Sequence, residues 1–194
     1  MARQRSVGIL IFPEVEVLDF CGPFEVFATA SEERERLFGV SVVGETTDIV
    51  SCRGGLLVKP HVSFADSPKF DLIVVPGGFG TRNEIDNPAL IGWIQTQNET
   101  TEITTSVCTG ALLLAKAGLL GNLPATTHWA AFDELLGHFP DLQLDNTQRV
   151  IDNGHIVTSA GVSAGIDMAL AMVERLHGRK AAEETARDME YDWA

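Results

Sequence analysis

Residues 103–118 of the 194-residue chain read ITTSVCTGALLLAKAG, and this stretch decides the predicted fold. Its first five residues are rich in β-branched side chains, as is typical of a strand. After Cys108 and Thr109, a segment rich in alanine and leucine predicts a helix over 110–117 that ends at Gly118. A strand that turns directly into a helix is half of a βαβ unit, so this stretch predicts a parallel sheet covered by helices.

The same alternation of strands and helices extends in both directions from this stretch. Short apolar runs predict three more strands, buried on both faces, over 7–12, 38–44 and 71–75. Apolar residues at helical spacing predict helices that begin near Pro23 and Pro88 and helices over 129–136, 163–176 and 181–189. Glycine-containing turns predict hairpins over 49–59 and 150–158, and Asn153-Gly154 in the second is typical of a type I′ turn.

These elements predict an α/β fold in one domain over 1–194, a three-layer α/β/α sandwich with a mainly parallel sheet. The sequence has no internal repeat, low-complexity segment or linker that would divide it. Apolar residues make up 45% of the chain, which is enough for a substantial core.

The net charge limits which partners the protein is expected to bind, and the cysteine count indicates the cellular compartment. The chain has 27 acidic and 14 basic residues, so its formal net charge is −13. Such a surface repels phosphate groups, which argues against nucleic acid and anionic membranes and favours a small-molecule substrate. No apolar run approaches the ~20 residues of a membrane helix. Three cysteines do not suit a secreted disulfide scaffold, so we expect a cytoplasmic protein.

Cys108 is the candidate nucleophile. It lies at the carboxyl end of a predicted strand, where the active sites of parallel sheets are found. The segment Ser106-x-Cys108-x-Gly110 resembles the G-x-S-x-G elbow of hydrolases, and free N–H groups at the start of the next helix favour a thiolate. We therefore expect an exposed side chain with a lowered pKa. A buried structural cysteine is the alternative.

Gly77 and Gly78 end the preceding strand, after Pro76. Glycines at a strand end let the backbone approach a ligand closely. In this interpretation their N–H groups form an oxyanion hole together with the N–H of Thr109. A simple turn is the alternative.

Asp19 is the candidate proton carrier. A carboxylate directly before a helix is most often a capping group. Because Asp19 lies between Leu18 and Phe20, partial burial is the competing interpretation, and burial raises a carboxyl pKa enough for proton transfer at neutral pH. Glu14 and Glu16 are rival carboxylates.

His128, within Thr126-Thr127-His128-Trp129, is the histidine best placed to bind substrate, since the other four lie in polar or loop contexts. A hydrogen-bonded structural histidine is the alternative. No spacing of cysteine and histidine matches a metal site, and no glycine-rich nucleotide motif is present. We therefore expect neither a metal nor an organic cofactor.

Several segments resemble those of the DJ-1/PfpI superfamily, which shares the class I glutamine amidotransferase-like fold. In chain order they are GILIFPEV at 8–15, Leu18-Asp19 with Gly22-Pro23, VPGG at 75–78, TSVCTG at 105–110, GLL at 118–120, ATTHW at 125–129 and GVSAGID at 161–167. They span nearly the whole chain, and within the superfamily they are most similar to the isonitrile hydratases. The resemblance implies a flavodoxin-like domain of the DJ-1/PfpI type.

The resemblance also implies a chemistry. It makes Cys108 the nucleophile and Asp19 the acidic partner near its sulfur, and it places backbone N–H groups of Gly78 and Thr109 around the site. The implied reaction adds water to an isonitrile through a thioimidate on Cys108, without a cofactor. It further implies a homodimer with the sites near the interface. We expect that interface at the helix after Gly22 and at the 49–59 hairpin.

Other members of the superfamily remain alternatives. A glyoxalase-type enzyme or an amidase shares these segments, although Asp19 in place of Glu favours the hydratases and Thr109 in place of His argues against a peptidase. AraC-type regulators carry the same Thr-His-Trp segment, but the 194 residues leave no room for their helix-turn-helix pair. A stand-alone redox or ligand sensor built on Cys108 also stays open. Cys21 stands where the hydratase pattern tends to have Thr, which predicts a second thiol near the site.

Overall fold

The computed structural model describes residues 3–33 and 35–193. The strands are β1 Arg5–Leu10, β2 Ser31–Glu32, β3 Glu35–Arg36, β4 Phe38–Gly44, β5 Val50–Ser51, β6 Leu57–Val58, β7 Val62–Ser63, β8 Leu72–Val75, β9 Ile103–Val107, β10 Pro124–Ala125, β11 Gln143–Leu144, β12 Val150–Asp152 and β13 Ile156–Ser159. The helices are α1 Val17–Thr29, α2 Thr81–Glu84, α3 Pro88–Asn98, α4 Gly110–Lys116, α5 Phe132–His138, α6 Ala164–His177 and α7 Arg179–Asp188, with 3₁₀ turns at Arg53–Gly55 and Trp129–Ala131. Residues 1, 2, 34 and 194 of the predicted domain lie outside the described ranges.

Seven strands form the central sheet in the order β12-β13-β9-β8-β1-β4-β7. Every neighbouring pair is parallel except β12 and β13, which form an antiparallel hairpin. The chain moves from β1 towards one edge and from β8 towards the other. Helix α1 packs against α6 and α7, whereas α3 packs against α4, as expected where right-handed crossovers place helices on both faces of a sheet. The predicted three-layer α/β fold is confirmed, and the reversal between β1 and β8 marks where a ligand crevice forms.

One hydrophobic cluster fills the space between the sheet and its helices. Strands β8 and β9 are buried along their whole length. The largest fully buried side chains include Phe27 of α1 and Leu112 of α4. Burial of a side chain of this size stabilises a fold by roughly 1.5–3 kcal/mol, so the core holds the carboxyl ends of the central strands in fixed positions. In the described part of the chain, no helix is long and apolar enough to cross a membrane.

Helix α1 begins earlier than predicted. Pro23 was expected in its first turn, but the helix starts at Val17 and Pro23 lies inside it. Pro23 removes one helical hydrogen bond, and Gly22 is a weak helix former. Tertiary packing outweighs both, because a Cβ atom at Gly22 would lie 2.9 Å from Ile166 of α6. As a result Asp19 lies in the first turn of α1 rather than before the helix.

Both predicted hairpins are present. β5 and β6 pair around a turn that contains Gly54 and Gly55, whose φ angles are 76° and 86°. β12 and β13 pair as predicted, but only Gly154 of the Asn153-Gly154 turn has a positive φ, so the turn is not type I′. The predicted 129–136 helix is shifted, since a 3₁₀ turn precedes α5.

Candidate active site

Cys108 occupies the tight turn between β9 and α4. Its φ is 56°, a left-handed conformation that costs a non-glycine residue on the order of 1–3 kcal/mol. Its backbone N–H donates to the carbonyls of Ser159 and Ala160, both at 3.2 Å. Two residues later, Gly110 packs so closely against β8 that a Cβ atom there would lie 2.0 Å from the carbonyl oxygen of Val75. The predicted strand-to-helix elbow is therefore present.

The environment of the Cys108 thiol differs from the expectation. The residue is only 6% exposed. Burial and the neighbouring Asp19 carboxyl raise the pKa of the thiol to about 12, although hydrogen bonds from Thr109 and from the Val162 backbone favour the thiolate. The expected lowering of the pKa by the helix N-terminus is thus wrong, because desolvation of a buried charge outweighs the short helix α4.

Asp19 lies against Cys108 and is completely buried. Its Oδ2 accepts a hydrogen bond of 2.9 Å from the N–H of Gly77, and its Oδ1 has no hydrogen-bond partner among the described residues. Burial raises the pKa of this carboxyl to about 7, against the opposing effects of the Gly77 N–H and the nearby Cys108 thiol. The buried carboxyl was the less common interpretation of the sequence, and the structure favours it over capping.

The carboxyl and the thiol titrate as a pair. Burial raises the pKa of both groups, and that of the thiol lies above that of the carboxyl. In the pH range between the two pKa values the pair holds one proton, which either group can carry. Such a pair can deliver a thiolate and a carboxylic acid together without adding net charge to a buried site.

Two of the predicted oxyanion-hole donors are used inside the protein. The Gly77 N–H binds Asp19, and the Gly78 N–H donates to the hydroxyl of Thr109 at 3.0 Å. Gly77 is required for close packing, since a Cβ atom there would lie 2.5 Å from the backbone nitrogen of Thr109. In this structure the N–H groups of both glycines are therefore directed at Asp19 and Thr109, so the predicted oxyanion hole stays a prediction. The Thr109 N–H remains directed at the Cys108 side chain.

Val162 contributes a donor that the sequence did not indicate. Its φ is 51°, which is rare for a β-branched residue. Its backbone N–H favours the Cys108 thiolate, and the residue lines the same cavity. Only the segment Gly161-Val162-Ser163, noted for its family resemblance, pointed to this region.

A cavity of about 400 Å³ opens over the sulfur. Its walls are formed by Glu16, Arg53, Gly78, Phe79, Arg82, Cys108, Thr109, His128, Ala130, Ala131 and Val162. The Arg53 guanidinium lies 4.4 Å from the centre of the Phe79 ring and pairs with Glu16 at 2.7 Å. Arg82 pairs with Glu134. Because each arginine is neutralised by a glutamate, the cavity suits an uncharged, partly apolar ligand.

His128 lines this cavity, and its Nδ1 accepts a hydrogen bond of 3.2 Å from the Ala130 N–H. Cys21, predicted as a second thiol near the site, does not line it. Burial raises the pKa of Cys21 above its usual value, so this thiol is not activated. Among the described residues, no group of histidine, cysteine and carboxylate side chains is arranged to hold a metal ion.

The sequence profile of the DJ-1/PfpI family matches residues 5–175. The chain belongs to the DJ-1/PfpI family. It is 37% identical over 193 residues to the isonitrile hydratase of Pseudomonas putida, a match that covers 98% of this chain and 79% of that protein. It is 29% identical over 184 residues to the HTH-type transcriptional regulator CdhR of Pseudomonas aeruginosa, with 94% of this chain but only 54% of the regulator covered. A ThiJ/PfpI family protein from Pseudomonas syringae superimposes with a TM-score of 0.88 at 29% identity, over 99% of this chain and 77% of that one.

In this DJ-1/PfpI chain the predicted site residues thus converge only in part. Cys108, Thr109 and His128 line one cavity, and Asp19 lies behind the sulfur, outside the cavity wall. Of the rival carboxylates, Glu16 lines the cavity, where it forms a salt bridge with Arg53.

Proposed function

We propose that the protein is a cysteine-dependent isonitrile hydratase, a hydro-lyase that converts R–N≡C and water to the N-substituted formamide R–NH–CHO. The observation that carries the proposal is the buried pair of Cys108 thiol and Asp19 carboxyl beneath a cavity of about 400 Å³. The 37% identity to an isonitrile hydratase over 98% of the chain supports it.

The first step joins the sulfur to the substrate. The Asp19 carboxylate takes the thiol proton, and the sulfur attacks the terminal isonitrile carbon to form the S–C bond. That carbon receives the proton from Asp19, and the product is the thioimidate R–N=CH–S–Cys108. The N–H groups of Thr109 and Val162 stabilise the negative sulfur before attack. Proton transfer by a positioned carboxyl typically accelerates such a step ~10²–10⁴-fold.

The second step releases the product. Water adds to the thioimidate carbon, and the nitrogen gains a proton, which gives R–NH–CH(OH)–S–Cys108. The hydroxyl proton then passes to the Asp19 carboxylate as the C=O bond forms and the C–S bond breaks. Transfer of that proton to the leaving sulfur restores the thiol. Division of one hydration into two additions on a covalent intermediate lowers the barrier of each.

Turnover of a simple alkyl isonitrile tests the proposal. The expected result is the N-alkyl formamide with the wild-type chain and with Cys21→Ala, and no product above background with Cys108→Ala. Quantitative NMR of the formamide proton measures all three. The proposal is overturned if the wild type produces no formamide, or if Cys108→Ala retains the activity.

A ligand-sensing role is the second candidate, because the chain matches most of its own length to about half of a transcriptional regulator. Such a sensor would bind a small molecule in the same cavity and leave it unchanged. Formamide production by the wild type decides between the two functions. Methylglyoxal and amide substrates, assayed in parallel, test the glyoxalase-type and amidase alternatives.

We also propose that residues 1–194 act as one domain in a cytoplasmic homodimer, without cofactor and without nucleic-acid or membrane partners. One hydrophobic cluster, which reaches from β1 to α7, supports the single domain. Exposed leucines on the β5–β6 hairpin support an interface there, since Leu56 is 45% and Leu57 is 65% exposed. Leu18 of α1, also exposed, supports the predicted contribution of that helix.

A further inference from the structure

Phe79 is a large apolar residue that stays exposed at the candidate active site. Its side chain is 59% exposed, although phenylalanine is among the residues most often found in the core. Among the described residues with large exposed apolar side chains, it alone lines the cavity over Cys108. Its ring therefore offers apolar surface to a ligand that binds above the sulfur.

Two arginines restrain the Phe79 ring. The guanidinium carbon of Arg53 lies 4.4 Å from the ring centre, and that of Arg82 lies 5.9 Å from it. Both distances are within the ~6 Å at which an aromatic face attracts a cation. Arg53 is itself held by Glu16 at 2.7 Å, and Arg82 is held by Glu134. The ring is thus restrained before a ligand arrives, which lowers the entropy cost of binding against it.

The backbone at Phe79 is tied to the elbow that carries the sulfur. The preceding residue, Gly78, donates its N–H to the hydroxyl of Thr109 at 3.0 Å. The Gly78 carbonyl, which belongs to the peptide bond of Phe79, accepts from the Arg82 guanidinium at 3.0 Å. It also accepts from the Thr81 hydroxyl at 2.8 Å. These contacts link the position of the ring to that of the nucleophile.

The substituent R of the substrate extends from the sulfur into this cavity. In the proposed thioimidate R is attached to nitrogen, on the far side of the reacting carbon from Cys108. Besides Phe79, the cavity wall offers the small apolar side chains of Ala130, Ala131 and Val162. The two arginines are paired with glutamates, so no net charge opposes an apolar group there. The volume of about 400 Å³ is many times the ~30 Å³ that one water occupies in the liquid, which leaves room for a bulky R.

We propose that Phe79 is a specificity-determining residue, whose ring contacts R and selects isonitriles with bulky apolar substituents, such as cyclohexyl or benzyl, over methyl isonitrile. Burial of apolar surface between the ring and R provides the preference, because a methyl group offers little such surface. A single missing hydrocarbon group in an apolar pocket typically changes kcat/KM by ~10–200-fold. The inference rests on the proposed hydratase function and adds the class of its substrate.

Steady-state hydration of cyclohexyl isonitrile and of methyl isonitrile tests the assignment. The wild type should have the higher kcat/KM for cyclohexyl isonitrile. With Phe79→Ala, we expect kcat/KM for cyclohexyl isonitrile to fall ~10–200-fold, mainly through KM, and that for methyl isonitrile to change less than about threefold. Phe79→Leu keeps part of the apolar surface and should give an intermediate loss. Leu136→Ala, which removes an exposed apolar side chain outside the cavity, is the matched control and should keep the wild-type preference.

Circular dichroism checks that each variant is folded, and if Phe79→Ala is not, the same ratio measured with Phe79→Leu decides. Equal losses for the two isonitriles in a folded Phe79 variant overturn the assignment, since a general disturbance of the site does not depend on R. Unchanged kinetics with cyclohexyl isonitrile overturn it as well. A wild-type chain that hydrates neither isonitrile instead refutes the hydratase function, and the role of Phe79 with it.

Discussion

Asp19 shows how burial sets the chemistry of a single residue. An ordinary aspartate would be fully ionised at neutral pH, whereas this carboxyl is half protonated there because its pKa is about 7. The Gly77 N–H stabilises the charged form but compensates for only part of the lost hydration. A carboxyl that gives and takes a proton near neutral pH is what the proposed reaction requires.

The same burial makes stability depend on pH. The unfolded carboxyl titrates near 3.8 and the folded one near 7, so its ionisation weakens the fold progressively as pH rises between these values. Asp19→Asn removes the charge, and its advantage over wild type should therefore grow from pH 4 to pH 8. Urea unfolding at several pH values measures this difference.

Asp192→Asn, an exposed control, should follow the wild-type pH profile. A constant difference between Asp19→Asn and wild type across this range would contradict the raised pKa. Formamide production by the folded Asp19→Asn variant is expected to fall ~10²–10⁴-fold, since amides do not carry the proton.

At the scale of elements, the elbow depends on the close approach of β8, β9 and α4. The α4 helix starts so near to β8 that Gly110 has no room for a side chain. The left-handed φ of Cys108 then directs its side chain towards Asp19 and the cavity. The ends of the strands and the strained turn thus position the sulfur.

Gly110→Ala tests this packing. Alanine is the better helix former by about 1 kcal/mol, but its Cβ would lie 2.0 Å from the Val75 carbonyl oxygen. We expect net destabilisation by roughly 1–3 kcal/mol, the usual range for overpacking. Gly92→Ala in α3 is the matched control, because beyond its chain neighbours and the backbone of its own helix no described group lies within 4 Å of a Cβ there. That control should gain up to about 1 kcal/mol. Equal stability changes in the two variants, measured by urea unfolding, would refute close packing at the elbow.

At the scale of the whole molecule, net charge and exposed apolar surface have opposite effects on the association of two copies of the chain. A net charge of −13 disfavours association between copies. The exposed leucines of the β5–β6 hairpin favour it, because burial of apolar surface drives assembly. The charged helix α7 has its buried residues against its own chain, as Ala182 and Ala186 show, and offers little for an interface.

We predict that light scattering gives a dimer mass at micromolar concentration and that Leu57→Asp shifts the mass towards a monomer. A charge in an apolar contact is costly, which is the reason for the expected dissociation. Leu136→Asp, on α5, is the control and should leave the mass unchanged. A wild-type chain that scatters as a monomer at all concentrations would refute the proposed interface.

The sequence alone determined the alternation of strands and helices, the parallel sheet and the elbow at Cys108. These depend on local patterns, since branched runs favour strands and Gly110 lies two residues after Cys108. For Asp19 the sequence left two interpretations, a helix cap and a buried carboxyl. Its neighbours Leu18 and Phe20 suggested burial but did not decide between the two.

Only the tertiary structure decided which groups act on the sulfur. Asp19 and Gly77 are 58 residues apart, and their hydrogen bond uses an N–H that the sequence had assigned to the substrate. The start of α1 before Pro23 and the left-handed φ of Val162 also result from packing between distant segments. Secondary-structure propensity depends on residues that are close in sequence. The pKa values and the directions in which N–H groups donate depend instead on desolvation and on contacts between distant residues. That is why the sequence predicted the position of Cys108 at the elbow but not the raised pKa of its thiol.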